Sequence, residues 1–411
     1  MRENKLKVLI SAYACEPNKG SEPGVGWNWA KQIAKFAEVW VITRTNNRNV
    51  IEEELKKSPI SNLHFLYYDV PKWLSFWKKK KRGLYLYYLL WQIGAYRLAK
   101  TISKHEKFDV VHHLTFGNIW LPTFMPLLNV PFIWGPIGGG EQVPKIFRKD
   151  YLLRAKIQEF IRDIILASLK VNPFFIYACK KSSLIITRTK ETLKIIPQQH
   201  KNKIVKMIET GVDINNLMLN SDFSKSENIQ IITVGRLIYC KGFDLAIKAF
   251  AKAFRDLNNV KLIIVGDGSE KKRLQKICVE ENIADKAIFK GHLTHDNVLK
   301  YMAESKIFLF PSLKEGGAWV FFEAMSLGLP IICLDIAGPH DIVTDQCGIK
   351  IKPLNPEQTI NDLADAILRL AKDPDLRKRM GEAGRKRIEE YYSWDNKGDF
   401  IQKVYQSVIN C

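Results

Sequence analysis

An α/β chain of two doubly wound domains facing a cleft is what the sequence predicts, and three observations predict it. Short apolar runs alternate with helical stretches along nearly all of the 411 residues, the pattern of parallel strands covered by helices. A polar stretch at 215–228 divides these runs into two sets. Glycines and charged residues then follow the strand ends of each set, which is where open α/β sheets hold their ligands.

In chain order, the first set of strands is expected at 7–12, 39–43, 63–68, 109–112, 131–134, 184–187 and 204–208. The second is expected at 229–234, 260–265, 287–290, 307–310, 331–334 and 349–352. A first domain over 1–220 and a second over 221–393 follow, with the tail 394–411 crossing back to the first as a helix after a break near Ser393. The length is generous for one core and comfortable for two. Hydrophobic residues make up 46% and charged residues 26%, with no repeat or low-complexity tract, so a disordered or fibrous chain is excluded.

The net charge of +20 is unevenly placed, because residues 1–225 hold 36 Lys and Arg against 18 Asp and Glu. So basic a first half calls for an acidic partner: an anionic membrane surface, a phosphate-bearing acceptor or nucleic acid. Nucleic acid is the weakest of these, because no zinc spacing, basic zipper or RNA-binding signature accompanies the charge. Trp73, Phe76 and Trp77 run into the basic stretch 78–82, a mixture suited to an anionic bilayer surface. The continuation 84–93 is too short to span one and reads rather as a packed helix. The seven cysteines are scattered and form no Cys-x-x-Cys pair, and the apolar stretch 8–14 is too brief for a signal sequence. A cytoplasmic protein, peripheral at the inner face of the cell membrane, is expected.

The chemistry concentrates in the second set. Val234 is followed by Gly235-Arg236-Leu237-Ile238-Tyr239-Cys240-Lys241-Gly242 and a helix. Arg236 offers a planar fork and Lys241 a compact charge, together enough to offset a diphosphate; a solvated loop with ordinary surface bases is the alternative. Gly266 closes the next strand in Val265-Gly266-Asp267-Gly268, a turn that is weak evidence alone. Past the strand at 307–310, Lys314-Glu315-Gly316-Gly317 leads into a helix expected from Ala318, which carries Glu323. Helix starts and glycines favour an approaching phosphate. At helical rise the eight positions from Glu315 to Glu323 span about 12 Å, so one acid suits each end of a nucleotide sugar. In the first set, the loop 20–26 with Gly24 and Gly26, and the run 135–141 with Gly139 and Glu141, are candidates for the acceptor side; glycine turns without a ligand are the alternative.

Taken in order, Gly20-Ser21-Glu22-Pro23-Gly24-Val25-Gly26, Thr210-Gly211-Val212-Asp213, Gly235-Arg236, Lys241-Gly242, Val265-Gly266-Asp267-Gly268, Glu315, Glu323 and Asp335-Ile336-Ala337-Gly338-Pro339 resemble the retaining nucleotide-sugar glycosyltransferases of family 4. That family has the GT-B fold of two Rossmann-like domains. The resemblance implies that Arg236 and Lys241 bind the donor diphosphate, Glu323 the ribose and Glu315 the transferred sugar. Gly235, Gly266, Gly316 and Gly317 would admit or contact the donor through the backbone, with the base near Leu293. Three departures stand out. The family's Glu-Gly-x-Gly is Glu315-Gly316-Gly317-Ala318 here, and Thr210 stands where Asn is usual. The family's His-x-His is replaced by adjacent His112 and His113, of which at most one faces the cleft; His113 is the candidate, and a core histidine is the alternative for either.

The implied activity is hexosyl transfer, with retention, from a nucleotide diphosphate sugar to a glycan or lipid-linked acceptor in surface polysaccharide or lipid-linked glycan synthesis. No cofactor is expected, and no metal, since Asp-x-Asp is absent and the cations serve the leaving group. Two other readings remain: a nucleotide-sugar epimerase or hydrolase of the same fold, and a non-catalytic basic module at a membrane surface.

Overall fold

The computed structural model describes residues 5–78, 82–213, 228–254 and 259–410. Lys79, Lys80 and Lys81 of the basic stretch, and all of 215–228 but its last residue, lie outside the described residues. The first sheet contains β1 (Leu6–Ala12), β2 (Ala37–Thr43), β3 (Leu63–Tyr67), β4 (Val110–Thr115), β5 (Phe132–Ile137), β6 (Leu184–Thr187) and β7 (Ile204–Lys206). Its order is β3-β2-β1-β4-β5-β6-β7, parallel throughout. The second contains β8 (Ile229–Val234), β9 (Val260–Val265), β10 (Ala287–Gly291), β11 (Ile307–Phe310), β12 (Ile331–Leu334) and β13 (Gly348–Ile351), ordered β10-β9-β8-β11-β12-β13 and again parallel.

Helices on both faces account for the continuous apolar runs. All four residues of β11 and of β12 are buried, as in a sheet with no wet side. The covering helices start where the sequence provides caps. Asn355 accepts from the Gln358 N–H, Asp373 accepts from the Leu376 N–H, and each is followed by a proline at the first helical position. In the first sheet's core, the helix Leu84–Ile102 buries Tyr87, Tyr88, Trp91, Ala95 and Ala99. Among the described residues no helix is long and apolar enough to cross a membrane.

Two compact units result: Met1–Gly140, Ile164–Gly211 and Trp394–Cys411 in the first, Glu141–Asp163 and Val212–Ser393 in the second. The helix Pro374–Tyr391 stays with the second unit, while Trp394–Ile409 belongs to the first. The expected boundary at 220 gave 141–163 to the first domain. This segment instead puts Val143, Phe147, Tyr151 and Ala155 into the hydrophobic core of the second, because its apolar side chains find their partners there. Glu141, the first residue of that segment, is grouped with the second unit and is buried.

The stretch 20–26, expected as a loop, is the start of the helix Ser21–Ala34. Gly24 and Gly26 are buried inside it, and a Cβ on Gly26 would lie 2.2 Å from the Ala14 carbonyl oxygen. The glycine there serves close approach of helix to strand end, not a ligand loop.

Candidate functional site

Chain order in the second sheet reverses between β8 and β11, so the loops leaving these neighbours part towards opposite faces and open a crevice at the strand ends. Both charged motifs sit on those two loops. Arg236 is exposed just after Gly235. The chain then makes one turn of 3-10 helix, Tyr239–Lys241, and enters the helix Phe243–Phe254 through Gly242. Gly242 has φ +68°, and a Cβ on it would lie 2.0 Å from the Pro311 carbonyl oxygen. Only glycine lets the β8 loop press so closely on the β11 loop. Leu313 N–H donates to the Cys240 carbonyl at 2.9 Å, and Ser312 Oγ approaches the same oxygen at 3.3 Å. On that frame Lys241 Nζ donates to Glu315 Oε2, with the Phe310 ring 5.3 Å from the ammonium. Each of the two side chains keeps 13% exposure, enough for a ligand to reach them.

The strand ends beside them are packed glycine to carbonyl. Gly266 has φ +135°, and a Cβ there would fall 1.8 Å from the Gly235 oxygen. Gly235 N–H donates to Val265 and Gly266 N–H to Gly291, at 2.9 and 2.8 Å. Leu293, half-buried, follows in the loop after β10.

Glu315, Gly316 and Gly317 run as loop, and the next helix, Trp319–Ser326, starts one residue after the expected Ala318, which caps it without a side-chain bond. The 12 Å helical spacing between the acids therefore does not hold, because 315–318 are not helical. The loop is fixed by Gly338, whose N–H donates to the Glu315 carbonyl at 2.9 Å. Glu323 lies inside the short helix with its side chain only 7% exposed, and its Oε1 is 2.8 Å from His295 Nε2. That hydrogen bond, more than the opposing effect of burial, raises the His295 pKa above its ordinary value. Sequence reasoning missed His295, whose one signal was its place four residues beyond Gly291.

It missed Glu159 as well. This fully buried acid on the helix Leu153–Ser168 accepts from Tyr239 Oη at 2.8 Å and from Lys314 Nζ, one residue on the β8 loop and one on the β11 loop.

In the first unit the corresponding reversal lies between β1 and β4. His112 is a core histidine: its Nε2–H donates to the Gly135 carbonyl at 2.6 Å and its Nδ1 accepts from Tyr405 Oη at 2.7 Å. His113, expected to face a ligand, is also buried, with Nε2 3.4 Å from Tyr88 Oη. Burial, and then the His112 charge, push its pKa down to about 3, so it is neutral and covered. The covering rings are tight, Tyr88 on Phe116 at 4.7 Å and Tyr13 on Tyr88 at 5.3 Å. Gly139 takes φ +99° where a Cβ would lie 2.9 Å from Asn118 Oδ1. The charged groups near this reversal are ones the motifs did not single out for a role. Glu22 Oε1 accepts from the Phe116 N–H at 2.6 Å, and Arg188 lies 3.8 Å from Glu22 and 3.2 Å from Glu209.

The family model for glycosyl transferases group 1 matches residues 218–387, most of the second unit. An uncharacterized glycosyltransferase of Methanocaldococcus jannaschii is 28% identical over 335 residues, covering 80% of this chain and 83% of that one. A phosphatidylinositol N-acetylglucosaminyltransferase subunit of Arabidopsis thaliana is 23% identical over 343 residues, covering 80% and 71%. Among solved structures, sucrose-phosphate synthase from Thermosynechococcus elongatus superposes with TM-score 0.64 at 18% identity, over 99% of this chain and all of that one, which shows a shared fold. With two parallel sheets and charged loops at the second sheet's reversal, the chain has the GT-B fold, its residues 218–387 match the group 1 glycosyltransferases, and over most of its length it is similar to glycosyltransferases.

Proposed function

We propose that the protein transfers a hexose, with retention at the anomeric carbon, from a nucleotide diphosphate sugar to a hydroxyl of a glycan or lipid-linked acceptor. One observation carries the reading: Lys241 of the β8 loop meets Glu315 of the β11 loop at the strand-order reversal, a cation and an acid held together on the frame made by Gly242. On donor binding, the diphosphate takes Lys241 and Arg236, and Glu315 turns its acceptor oxygens to the sugar hydroxyls. Gly266, packed on the Gly235 carbonyl, fixes the strand ends beside the phosphates, Gly316 and Gly317 meet them through the backbone, Glu323 accepts from the ribose hydroxyls, and Leu293 lies by the base.

In the reaction the bond from the anomeric carbon to the diphosphate oxygen breaks and its electron pair goes to the diphosphate. The acceptor oxygen bonds to the same face of that carbon, and its proton leaves with the diphosphate. Arg236 and Lys241 stabilise the charge growing on the leaving group, a task that needs no divalent ion. Burial beneath Tyr88 takes His113 out of the groups proposed to meet the sugar, and packing inside the helix Ser21–Ala34 takes Gly24 and Gly26 out of the acceptor side.

An acceptor held at an anionic membrane surface fits the exposed groups. Trp73 and Phe76 are 75% and 77% exposed next to exposed Lys72 in the first unit. In the second, Leu153, Ile157, Phe160 and Ile161 are exposed along one helix with Arg154 and Lys156. The Arabidopsis relative's name, which refers to phosphatidylinositol, points the same way.

The test is a panel of nucleotide sugars screened for thermal stabilisation, then assayed with lipid-linked acceptors, with the product's anomeric configuration read by NMR. Stabilisation by one donor and a product of unchanged configuration are expected. Turnover of the donor without acceptor would establish the epimerase or hydrolase reading instead, and an inverted product would remove retention.

A further inference from the structure

We propose that Glu159 is a positioning residue for transfer, holding the β8 and β11 loops in register from behind and keeping Lys314 away from the donor. The inference rests on the function proposed above. Glu159 is fully buried, and its Oε1 accepts from both Tyr239 Oη and Lys314 Nζ. Tyr239 stands two residues before Lys241, and Lys314 directly precedes Glu315. One carboxylate thus fixes the residues flanking both members of the Lys241–Glu315 pair.

The four charges alternate. Glu159 takes Lys314, and Glu315 takes Lys241. Without Glu159, Lys314 would be a second ammonium next to Glu315 with no acid of its own. It would compete with Lys241 for that carboxylate, or swing into the diphosphate site as a misplaced charge. The back of the clamp is itself held in place. Arg148 Nη2 lies 3.8 Å from Glu159 Oε2, and Arg148 is braced by Asp163 through Nη2 at 3.2 Å and through Nη1. The Tyr151 ring packs edge-on against Tyr239 at 5.0 Å. The segment 141–163 thus supplies both packing and the acid, which gives a functional reason for it to sit with the second unit.

The experiment uses the full chain carrying Glu159→Gln, Glu159→Ala, Lys314→Met, or Glu159→Gln with Lys314→Met. Melting temperature, UDP and GDP affinity by calorimetry, and kcat and KM with the donor found in the panel are measured for each. Glu159→Gln keeps an acceptor for Tyr239 but loses the charge. It should lower kcat about tenfold, and Glu159→Ala about a hundredfold, the scale of a misplacement near 1 Å, with donor KM changed less than threefold. Adding Lys314→Met to Glu159→Gln should recover several-fold in kcat, a rescue that loss of packing alone would not produce. If Glu159→Ala does not fold, the Gln variant and its double carry the test. Folded Glu159→Gln with kcat within twofold of the parent, or a double variant with no recovery, overturns the positioning role while leaving the activity intact. A parent chain that binds neither nucleotide and turns over no donor overturns the activity and this role with it.

Discussion

The two units repeat one architecture and treat its ligand position in opposite ways. In the second, the loops at the strand-order reversal carry exposed Arg236 and the partly exposed Lys241 and Glu315, on glycines that let the loops pack backbone to backbone. In the first, the equivalent position is roofed by Tyr13, Tyr88 and Phe116 over a neutral histidine, and the nearby Arg188 is already occupied by Glu22 and Glu209. The same topology thus gives one position with partly exposed cations and an acid, and another where aromatic rings cover a neutral histidine and the nearby charges are paired. Fold alone decides where a ligand goes; side chains decide which.

The sharpest way to break this contrast is to remove charge from the second unit. Lys241→Ala and Arg236→Ala should each lower kcat by about 10²–10³, the scale seen when one group stabilising a developing anion is lost. The melting temperature should stay nearly constant in Arg236→Ala, whose side chain is exposed, and fall in Lys241→Ala, which leaves the mostly buried Glu315 without its cation. Steady-state kinetics of both variants measure this, and rates near the parent's would show that the diphosphate is held elsewhere.

A smaller effect is expected in the first unit, and on stability rather than rate. Burial pushes His112 down to about 4 and His113 to about 3, against about 6.5 when unfolded. From pH 6.5 down to those values the unfolded chain binds protons that the native one refuses, so stability rises with pH across this window and falls on acidification. Hydrogen exchange between pH 4 and 7 should show β4 opening more readily in acid, while the second unit changes less. Tyr405→Phe, which leaves His112 Nδ1 without its donor, should cost about 1–3 kcal/mol with kcat unchanged. Uniform exchange across both units at low pH would remove the distinction.

How much of this was legible follows from where the determining contacts lie. Both sheets could be read, because strands buried on two faces are continuous apolar runs, and β11 and β12 show no alternation at all. Arg236, Lys241 and Glu315 could be read because strand, loop and helix follow one another locally. The helix at Ser21 could not. Its Gly-Val-Gly stretch has poor helix propensity, and the helix forms because nine of its residues are buried against the sheet. The position of 141–163 was hidden too: Glu159 finds Tyr239 80 residues away and Lys314 155 residues away, beyond any periodicity. The adjacent histidines were half legible. Alternation says that they point to opposite faces, and only packing says that both faces are closed.

The finest test of the comparison is the histidine in the second unit, which, unlike those of the first, is perturbed upwards. The hydrogen bond that His295 donates to Glu323 raises its pKa above the ordinary 6.5. Whatever this contact adds to stability is present in full below pH 6.5 and fades as pH rises through the raised value; with the imidazole 62% exposed, that contribution is small. The effect on the donor has the opposite sense. If Glu323 binds the ribose as proposed, charged His295 competes with the ribose hydroxyls for its carboxylate; once neutral it still donates Nε2–H, but without the charge. Donor KM should therefore fall by about two- to threefold as pH rises above 6.5, the size of losing the charge assistance to one exposed hydrogen bond. In His295→Gln the KM should be lower at pH 6 and the profile flat, whereas Glu323→Ala should raise KM at every pH. If His295→Gln keeps the parent's slope, the proton is being taken up elsewhere and Glu323 is not the acid that meets the ribose.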